Sequence, residues 1–163
     1  MISMISSIGK NRELGKKNEL VWRIPDDMKF FKEKTMGHIV VMGRNTYDSI
    51  VNGLPGRKMI VLSFSDILGD VEVACNIDDI LNRYLNSEEE IFIIGGASVY
   101  SQFLKYTNTL YLTEIDATCD DADAFFPEFN KNEWDRIIID SGIYNDLSYQ
   151  MCKYIRKDKE KII

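Results

Sequence analysis

A carboxylate stands where an apolar helix face is expected, at Asp27 in Leu20-Val21-Trp22-Arg23-Ile24-Pro25-Asp26-Asp27-Met28-Lys29-Phe30-Phe31. Pro25 suits the first turn of a helix, where its missing N–H costs nothing and its φ is already helical. A helix starting there places Met28, Phe31 and Thr35 on one face, with Asp27 beside Phe31 at i+4. A carboxylate on that face is costly without a partner. It is therefore either ion-paired for structure or kept for a ligand, and a ligand edge with two parallel N–H donors would satisfy it. The plainer alternative is that Asp26 and Asp27 are first-turn carboxylates favoured by the helix dipole.

Two strand-to-helix junctions carry the second chemical signal: Val41-Met42-Gly43-Arg44-Asn45-Thr46 and Ile93-Ile94-Gly95-Gly96-Ala97-Ser98-Val99-Tyr100. Glycine lets a phosphate approach the backbone, and the following helix offers free N–H groups with a favourable dipole. Arg44 adds a charge-assisted phosphate donor. Neither junction is GxGxxG, and each alone reads more readily as a tight turn; together, with Arg44, they modestly favour a dinucleotide. Arg57, after Pro55-Gly56, is either a solvated surface residue or a fork for a ligand carboxylate. Lys32 is a solvated lysine or a weaker anionic neighbour. Thr113, in Leu112-Thr113-Glu114, is an ordinary strand threonine or a hydroxyl donor to a buried carboxylate. Phe30, Phe31, Met28, Met36 and Met42 read as core filling.

These residues must be positioned by a fold. The 163 residues, 45% hydrophobic and 28% charged, suit one soluble globular domain with a real core. The net charge of −6 argues against a general nucleic-acid binder. Cys75, Cys119 and Cys152 are widely spaced without CxxC, and His38 is the single histidine. A disulfide framework or zinc site is not expected, and a reducing compartment is. The opening Met1-Ile-Ser-Met-Ile-Ser-Ser-Ile8 has no basic region and reads as a strand, and no apolar run reaches the length of a membrane span. A cytoplasmic protein is expected, bound to neither nucleic acid nor membrane.

Along the chain, residues 2–8 read as a buried strand, 9–24 as a long loop and 25–35 as a helix. Ile39–Met42 has the near-continuous apolar character of a strand covered on both faces. A short helix through Ile50, a turn at Leu54–Arg57, strands at Lys58–Leu62 and Val71–Ala74, and a helix at Asp78–Leu85 follow. Then come a strand at Ile91–Ile94, a helix from Ala97 to Leu104, a strand at Thr109–Ile115, and strands near Trp134–Asp140 and Ser148–Arg156. Gly142 and Asn145-Asp146 mark a hairpin between the last two. Lys157 to Lys161 read as a frayed end. The β–α alternation followed by two strands without a helix predicts a single α/β domain over 1–163. Its sheet has about eight strands, mostly parallel with an antiparallel C-terminal edge, flanked by helices.

In this order and spacing the segments resemble dihydrofolate reductase over nearly the whole chain. The opening strand, the loop from Asn11 to Pro25, the helix of Asp26 to Thr35, both glycine junctions, Leu54-Pro55-Gly56-Arg57, Tyr111-Leu-Thr113-Glu-Ile115 and Phe125-Phe126-Pro127 all match it. The resemblance implies that fold and an NADPH-dependent reduction of 7,8-dihydrofolate to tetrahydrofolate, serving one-carbon metabolism. Hydride reaches pterin C6, and water delivers a proton to N5. It implies that Asp27 binds the pterin 2-amino group and adjacent ring N–H with Thr113 bonded to it, that Leu20 gates the water and Trp22 orders it, and that Tyr100 lies beside the nicotinamide. Ile5, Met28, Phe31, Lys32, Ile50, Leu54 and Ile94 would wall the substrate, and Arg57 would hold its α-carboxylate. Ser7, Leu14, Gly15, Gly43, Arg44, Asn45, Thr46, Ser49, Leu62, Ser63, Phe64, Gly95, Gly96, Ala97, Ser98 and Val99 would line the cofactor. The family pattern also implies a cis Gly95–Gly96 peptide, antifolate binding and, with no segment reading as an interface, a monomer.

Three positions depart from that pattern. Val21 replaces the proline often found before the loop tryptophan, Phe64 follows Ser63 where a small polar residue is common, and Ser98 replaces an arginine of some relatives. Recognition of the cofactor 2′-phosphate is then expected to rest on Arg44 and Ser63. Two other readings are a pterin- or pyrimidine-like reductase sharing the fold and a non-catalytic nucleotide- or folate-binding protein. Asp27 with Arg57 favours folate over the first, and Asp27 with Trp22 and both junctions speaks against the second.

Overall fold

The computed structural model describes residues 1–50, 52–65 and 71–157. In chain order the strands are β1 (Ile2–Ile8), β2 (Glu13–Lys16), β3 (Glu19–Leu20), β4 (Ile39–Gly43), β5 (Lys58–Leu62), β6 (Glu72–Ala74), β7 (Ile91–Ile93), β8 (Thr109–Ile115), β9 (Ala124–Phe125), β10 (Trp134–Tyr144) and β11 (Leu147–Arg156). The helices are α1 (Pro25–Thr35), α2 (Arg44–Ser49), α3 (Ile77–Tyr84) and α4 (Ala97–Phe103). Among the described residues no helix is long and apolar enough to cross a membrane.

The eight-stranded sheet has the order β10-β11-β8-β1-β7-β4-β5-β6. Pairings from β6 through β8 are parallel, and β11 and β10 add the antiparallel edge. Alternation of side chains along β4 explains its continuous apolar run. Ile39 and Val41 join the core beneath α3 and α4, with Ile80, Val99 and Phe103. Val40 and Met42 join the opposite core, with Ile5, Phe92 and Tyr111, against which Phe30 and Phe31 of α1 pack. β7 lies between β1 and β4, so chain direction along the sheet reverses there, and the crevice outside the strands' carboxyl ends is the place for a ligand in such a sheet.

Several expectations need correction. The segment 9–24 is not structureless: β2 and β3 form a second sheet with β9, in the order β3-β2-β9. α3 starts at Ile77, capped by the Asn76 side chain, which accepts from the Asp79 N–H at 3.2 Å. Met28 and Met36 are not core; both are exposed, and only Met42 of the three is buried. The strand expected from Val71 begins at Glu72. The frayed end expected beyond Arg156 lies outside the described residues except for Lys157, whose N–H donates to Glu133 O at 2.9 Å.

β10 runs to Tyr144, so Gly142 lies inside the strand and the turn is Asn145-Asp146, with φ of 47° and 65°. Positive φ at both turn residues is the primed geometry that follows strand twist. Gly142 is needed for close approach: an added Cβ would lie 2.5 Å from the Tyr149 hydroxyl, which donates to Asp26 at 2.9 Å. Gly142→Ala should lower unfolding free energy by about 1–3 kcal/mol through overpacking. Denaturant titration measures it, and an unchanged midpoint would show that Tyr149 yields freely.

Candidate active site

Helix phase separates the two neighbouring carboxylates of α1. Consecutive helical residues point about 100° apart. Asp26 turns toward Tyr149, while half-buried Asp27 faces the sheet. There the Thr113 hydroxyl donates to Asp27 Oδ1 at 2.5 Å. Ser7 and Thr113 are register partners on the parallel strands β1 and β8, so the sheet delivers two hydroxyls to one carboxylate. Burial raises the Asp27 pKa above the ordinary value, and the hydrogen bonds from Thr113 and Ser7 pull it back. The net upward shift marks a carboxylate whose protein partners do not fully replace water.

Asp27 opens into a cleft of about 860 Å³ at the carboxyl ends of the parallel strands. Ile5, Met28, Phe31, Ile50, Leu54 and Ile94 form its apolar wall, with exposed Lys32 at the margin. Arg57 closes the far end. Its guanidinium donates to Pro55 O at 3.1 Å and Thr35 Oγ1 at 3.3 Å, and lies 6.0 Å above the Phe31 ring. Gly56, at φ +80°, turns the chain to present it. Burial lowers the Arg57 pKa from a value so high that the cation persists.

The other arm of the cleft is built on the glycine junctions. Gly43 caps α2 and Gly96 caps α4, and the Gly43 N–H donates to Gly95 O at 2.9 Å, tying one junction to the other. The Gly95–Gly96 peptide is cis, as the family pattern implied. A Cβ on Gly43 would sit 3.1 Å from Val99 Cγ2, and one on Gly95, at φ +128°, 3.5 Å from Thr46 Oγ1. Side chains here would fill the space a ligand backbone approach needs. Tyr100, fully buried, donates its hydroxyl to Ile5 O at 2.8 Å; burial and the nearby Asp27 charge hold its pKa high, so it stays protonated. At the outer end Arg44 is held by Asp48 at 3.0 Å and donates to Ser65 Oγ at 3.4 Å. Ser63 Oγ donates to Ser65 O at 3.0 Å, so two hydroxyls and a guanidinium gather where an anion would sit. Phe64 beside them is almost wholly exposed.

Of the residues expected at the site, Ser7, Leu14, Gly15, Leu20, Asn45, Thr46, Ser49, Leu62, Ser63, Phe64, Ala97, Ser98 and Val99 line the cleft together with those just described. Thr113 stands behind the wall and reaches the cleft through its bond to Asp27. Trp22, expected beside the reacting water, is also set behind the wall. Its ring passes over Gly9, where a Cβ would meet it at 2.6 Å, and packs beside Ile24 and Tyr149. Ser6, Asn76, Gln102 and Asp123 line the cleft although nothing in their local sequence marked them, and Ser65 joins the site through its bond to Arg44. Ser65 alone had a signal, its place two residues after Ser63. A larger hollow, about 1240 Å³, lies beside the β10–β11 hairpin and contains none of the expected residues.

A family model described as dihydrofolate reductase matches residues 1–156. The dihydrofolate reductase of Bacillus subtilis (strain 168) is 36% identical over 167 aligned positions, 99% of this chain and 98% of that protein. That of Buchnera aphidicola subsp. Acyrthosiphon pisum (strain APS) is 43% identical over 131 positions, 78% of this chain and 80% of that protein. Among solved structures, a dihydrofolate reductase from Enterococcus faecalis complexed with NADP(H) and RAB-propyl superposes with a TM-score of 0.87, at 30% identity over 97% of each chain.

Proposed function

The chain belongs to the dihydrofolate reductase family, and from that premise we propose that it is the NADPH-dependent reductase converting 7,8-dihydrofolate to 5,6,7,8-tetrahydrofolate for one-carbon metabolism. The observation that carries this is the pairing, in one cleft, of Asp27 in the first turn of α1 with Arg57, which is bonded to Thr35 at the last turn of that helix. Asp27 accepts from the pterin 2-amino group and adjacent ring N–H, with Thr113 bonded to the same carboxylate. Ile5, Met28, Phe31, Ile50, Leu54 and Ile94 enclose the rings, and Arg57 holds the glutamate α-carboxylate. This end-to-end match distinguishes dihydrofolate from a bare pterin.

The cradle of Gly43, Gly95 and Gly96 and the donor set of Arg44, Ser63 and Ser65 fit a phosphorylated dinucleotide. When bound, NADPH supplies the hydride that adds to pterin C6. Asp27 fixes the ring and stabilises charge as N5 becomes basic, and N5 takes its proton from water admitted past Leu20. Trp22 braces the segment that carries Leu20. Tyr100, protonated and buried beside Asp27, keeps the inner wall neutral where the two rings meet. Inhibitors bearing an amidine-like edge compete for Asp27. The cleft is complete within one chain, which supports a monomer, and the three cysteines are free thiols, which suits the reducing cytoplasm.

Purified protein mixed with NADPH and dihydrofolate should lose NADPH absorbance and form tetrahydrofolate in equal amounts. NADPH binding without turnover would overturn the reading. Arg44→Ala should raise the KM for NADPH about tenfold or more while leaving that for NADH nearly unchanged, because a charge-assisted phosphate contact is lost. Equal changes for both cofactors would remove Arg44 from phosphate recognition.

A further inference from the structure

Glu13 is a buried glutamate with no part in the reaction just described. Its relative exposure is 1%, and among the described residues no cation lies within ion-pairing distance of it. Its charge is met by backbone alone. Oε1 accepts from the Asn11 N–H at 2.7 Å, and Oε2 accepts from the Cys119 N–H at 2.6 Å, 106 residues away. A buried carboxylate without a counter-ion is a poor way to gain stability, since an apolar residue of similar volume fills the space without the desolvation cost. Its two oxygens join two segments that also meet where the Lys10 N–H donates to Ala117 O at 2.9 Å, where the Phe126 N–H donates to Arg12 O at 2.8 Å, and in the Lys16–Asp121 ion pair.

One of these segments carries the cleft wall. Glu13 opens β2, so Leu14 and Gly15 follow it directly, and Gly15 pairs with Leu20 of β3. Leu14, Gly15 and Leu20 all line the cleft near the glycine cradle. The other segment, 117–125, supplies β9 and Asp123, whose N–H donates to Gly15 O at 3.0 Å and whose Oδ2 accepts from the Lys17 N–H at 3.0 Å. The ladder between β2 and β9 is only two pairs long and its register shifts between Glu13 and Gly15, so backbone pairing alone holds it weakly. The Glu13 carboxylate sits at the end of that ladder. Gly9 leaves it room, because a Cβ there would lie 2.6 Å from Oε1 and from the Trp22 ring.

We propose that Glu13 is a positioning residue: its carboxylate clamps the segment bearing Leu14, Gly15 and Leu20 to the 117–123 segment and so sets the cofactor side of the cleft. The substrate side does not depend on it, because Ile5, Asp27, Phe31 and Arg57 are held by the large sheet and α1. The inference rests on the dinucleotide reading of this arm of the cleft.

Glu13→Gln keeps the volume and one acceptor but turns an NH₂ group toward one of the two N–H donors. We expect NADPH Kd, measured by fluorescence titration, to rise about 10–150-fold, as loss of one hydrogen bond to a charged group implies. The KM for dihydrofolate should stay within about twofold of wild type, and amide exchange should quicken across 9–20 and 117–123 only. Wild-type NADPH affinity in a folded Glu13→Gln protein would overturn the clamp. An equal loss at both ligands with exchange quickened throughout would do so too, because it reports general destabilisation. Should the variant fail to fold, exchange in the wild type decides: the Asn11 and Cys119 amides must be among the slow ones, and fast exchange at either refutes it. If the wild type itself binds no NADPH, the dinucleotide reading fails first, separately from the clamp.

Discussion

Replacing Asp27 with asparagine is expected to lower kcat/KM for dihydrofolate by about 10²–10³-fold at neutral pH, the loss typical of a preorganised electrostatic group. Shape is nearly retained and Thr113 still finds an oxygen, so folding survives. What disappears is the negative charge facing the pterin edge. Stability should move the other way. Burial raises the carboxyl pKa in the folded state above its unfolded value. The folded form is therefore favoured by protonation below the unfolded value, and that advantage is lost as pH rises through the raised folded value. Asparagine has no charge to desolvate, so Asp27→Asn should match wild type in acid and become the more stable protein toward neutrality. Thermal melts across pH check the sign. A variant that is less stable at neutral pH would mean that Ser7 and Thr113 solvate the carboxylate better than water does.

Arg57→Ala should raise the KM for dihydrofolate about 10–100-fold with kcat reduced far less. The guanidinium is fixed by Thr35, Pro55 and the Phe31 ring before any ligand arrives, so little ordering cost offsets its bond to a carboxylate. It is tied to Thr35 in the last turn of α1, about two turns from Asp27 in the first, so its contribution should be nearly uniform between ground and transition states. NADPH affinity should be unchanged. A pterin without the glutamate tail provides the control: its KM should not respond to the substitution. If dihydrofolate and the tail-less pterin lose equally, Arg57 supports the wall and does not hold the carboxylate.

How much of this was legible in the sequence follows from the range of each interaction. β4, β5 and β8 were readable because strands covered on both faces need continuous apolar runs, and their bounds agree closely with expectation. α1 was readable from Pro25 and its helical phase, which also singled out Asp27. Ser7 appeared in the sequence as a cofactor-side residue, and its bond to Asp27 emerges only from the register that sets it opposite Thr113. The β3-β2-β9 sheet was missed because β2 pairs with residues over a hundred positions away, and strands of two to four residues are too short to show a period. The same distance hid Glu13. Gly142 drew the hairpin too early; the chain needs glycine there for the Tyr149 ring, while Asn145-Asp146 makes the turn. Met28 reads as core filling by its residue type, but it is exposed and lines the cleft beside Phe31, where the family resemblance puts it.

The central claim is that Asp27 holds the pterin while the glycine-lined arm independently holds NADPH. Single-turnover mixing of the preformed NADPH complex with dihydrofolate tests it most directly, on wild type and Asp27→Asn side by side at neutral pH. Rapid NADPH oxidation is expected in the wild type and a fall of about 10²–10³-fold in the variant, with NADPH affinity equal in both. Oxidation at the wild-type rate in Asp27→Asn would contradict it, as would a loss traced to weakened NADPH binding.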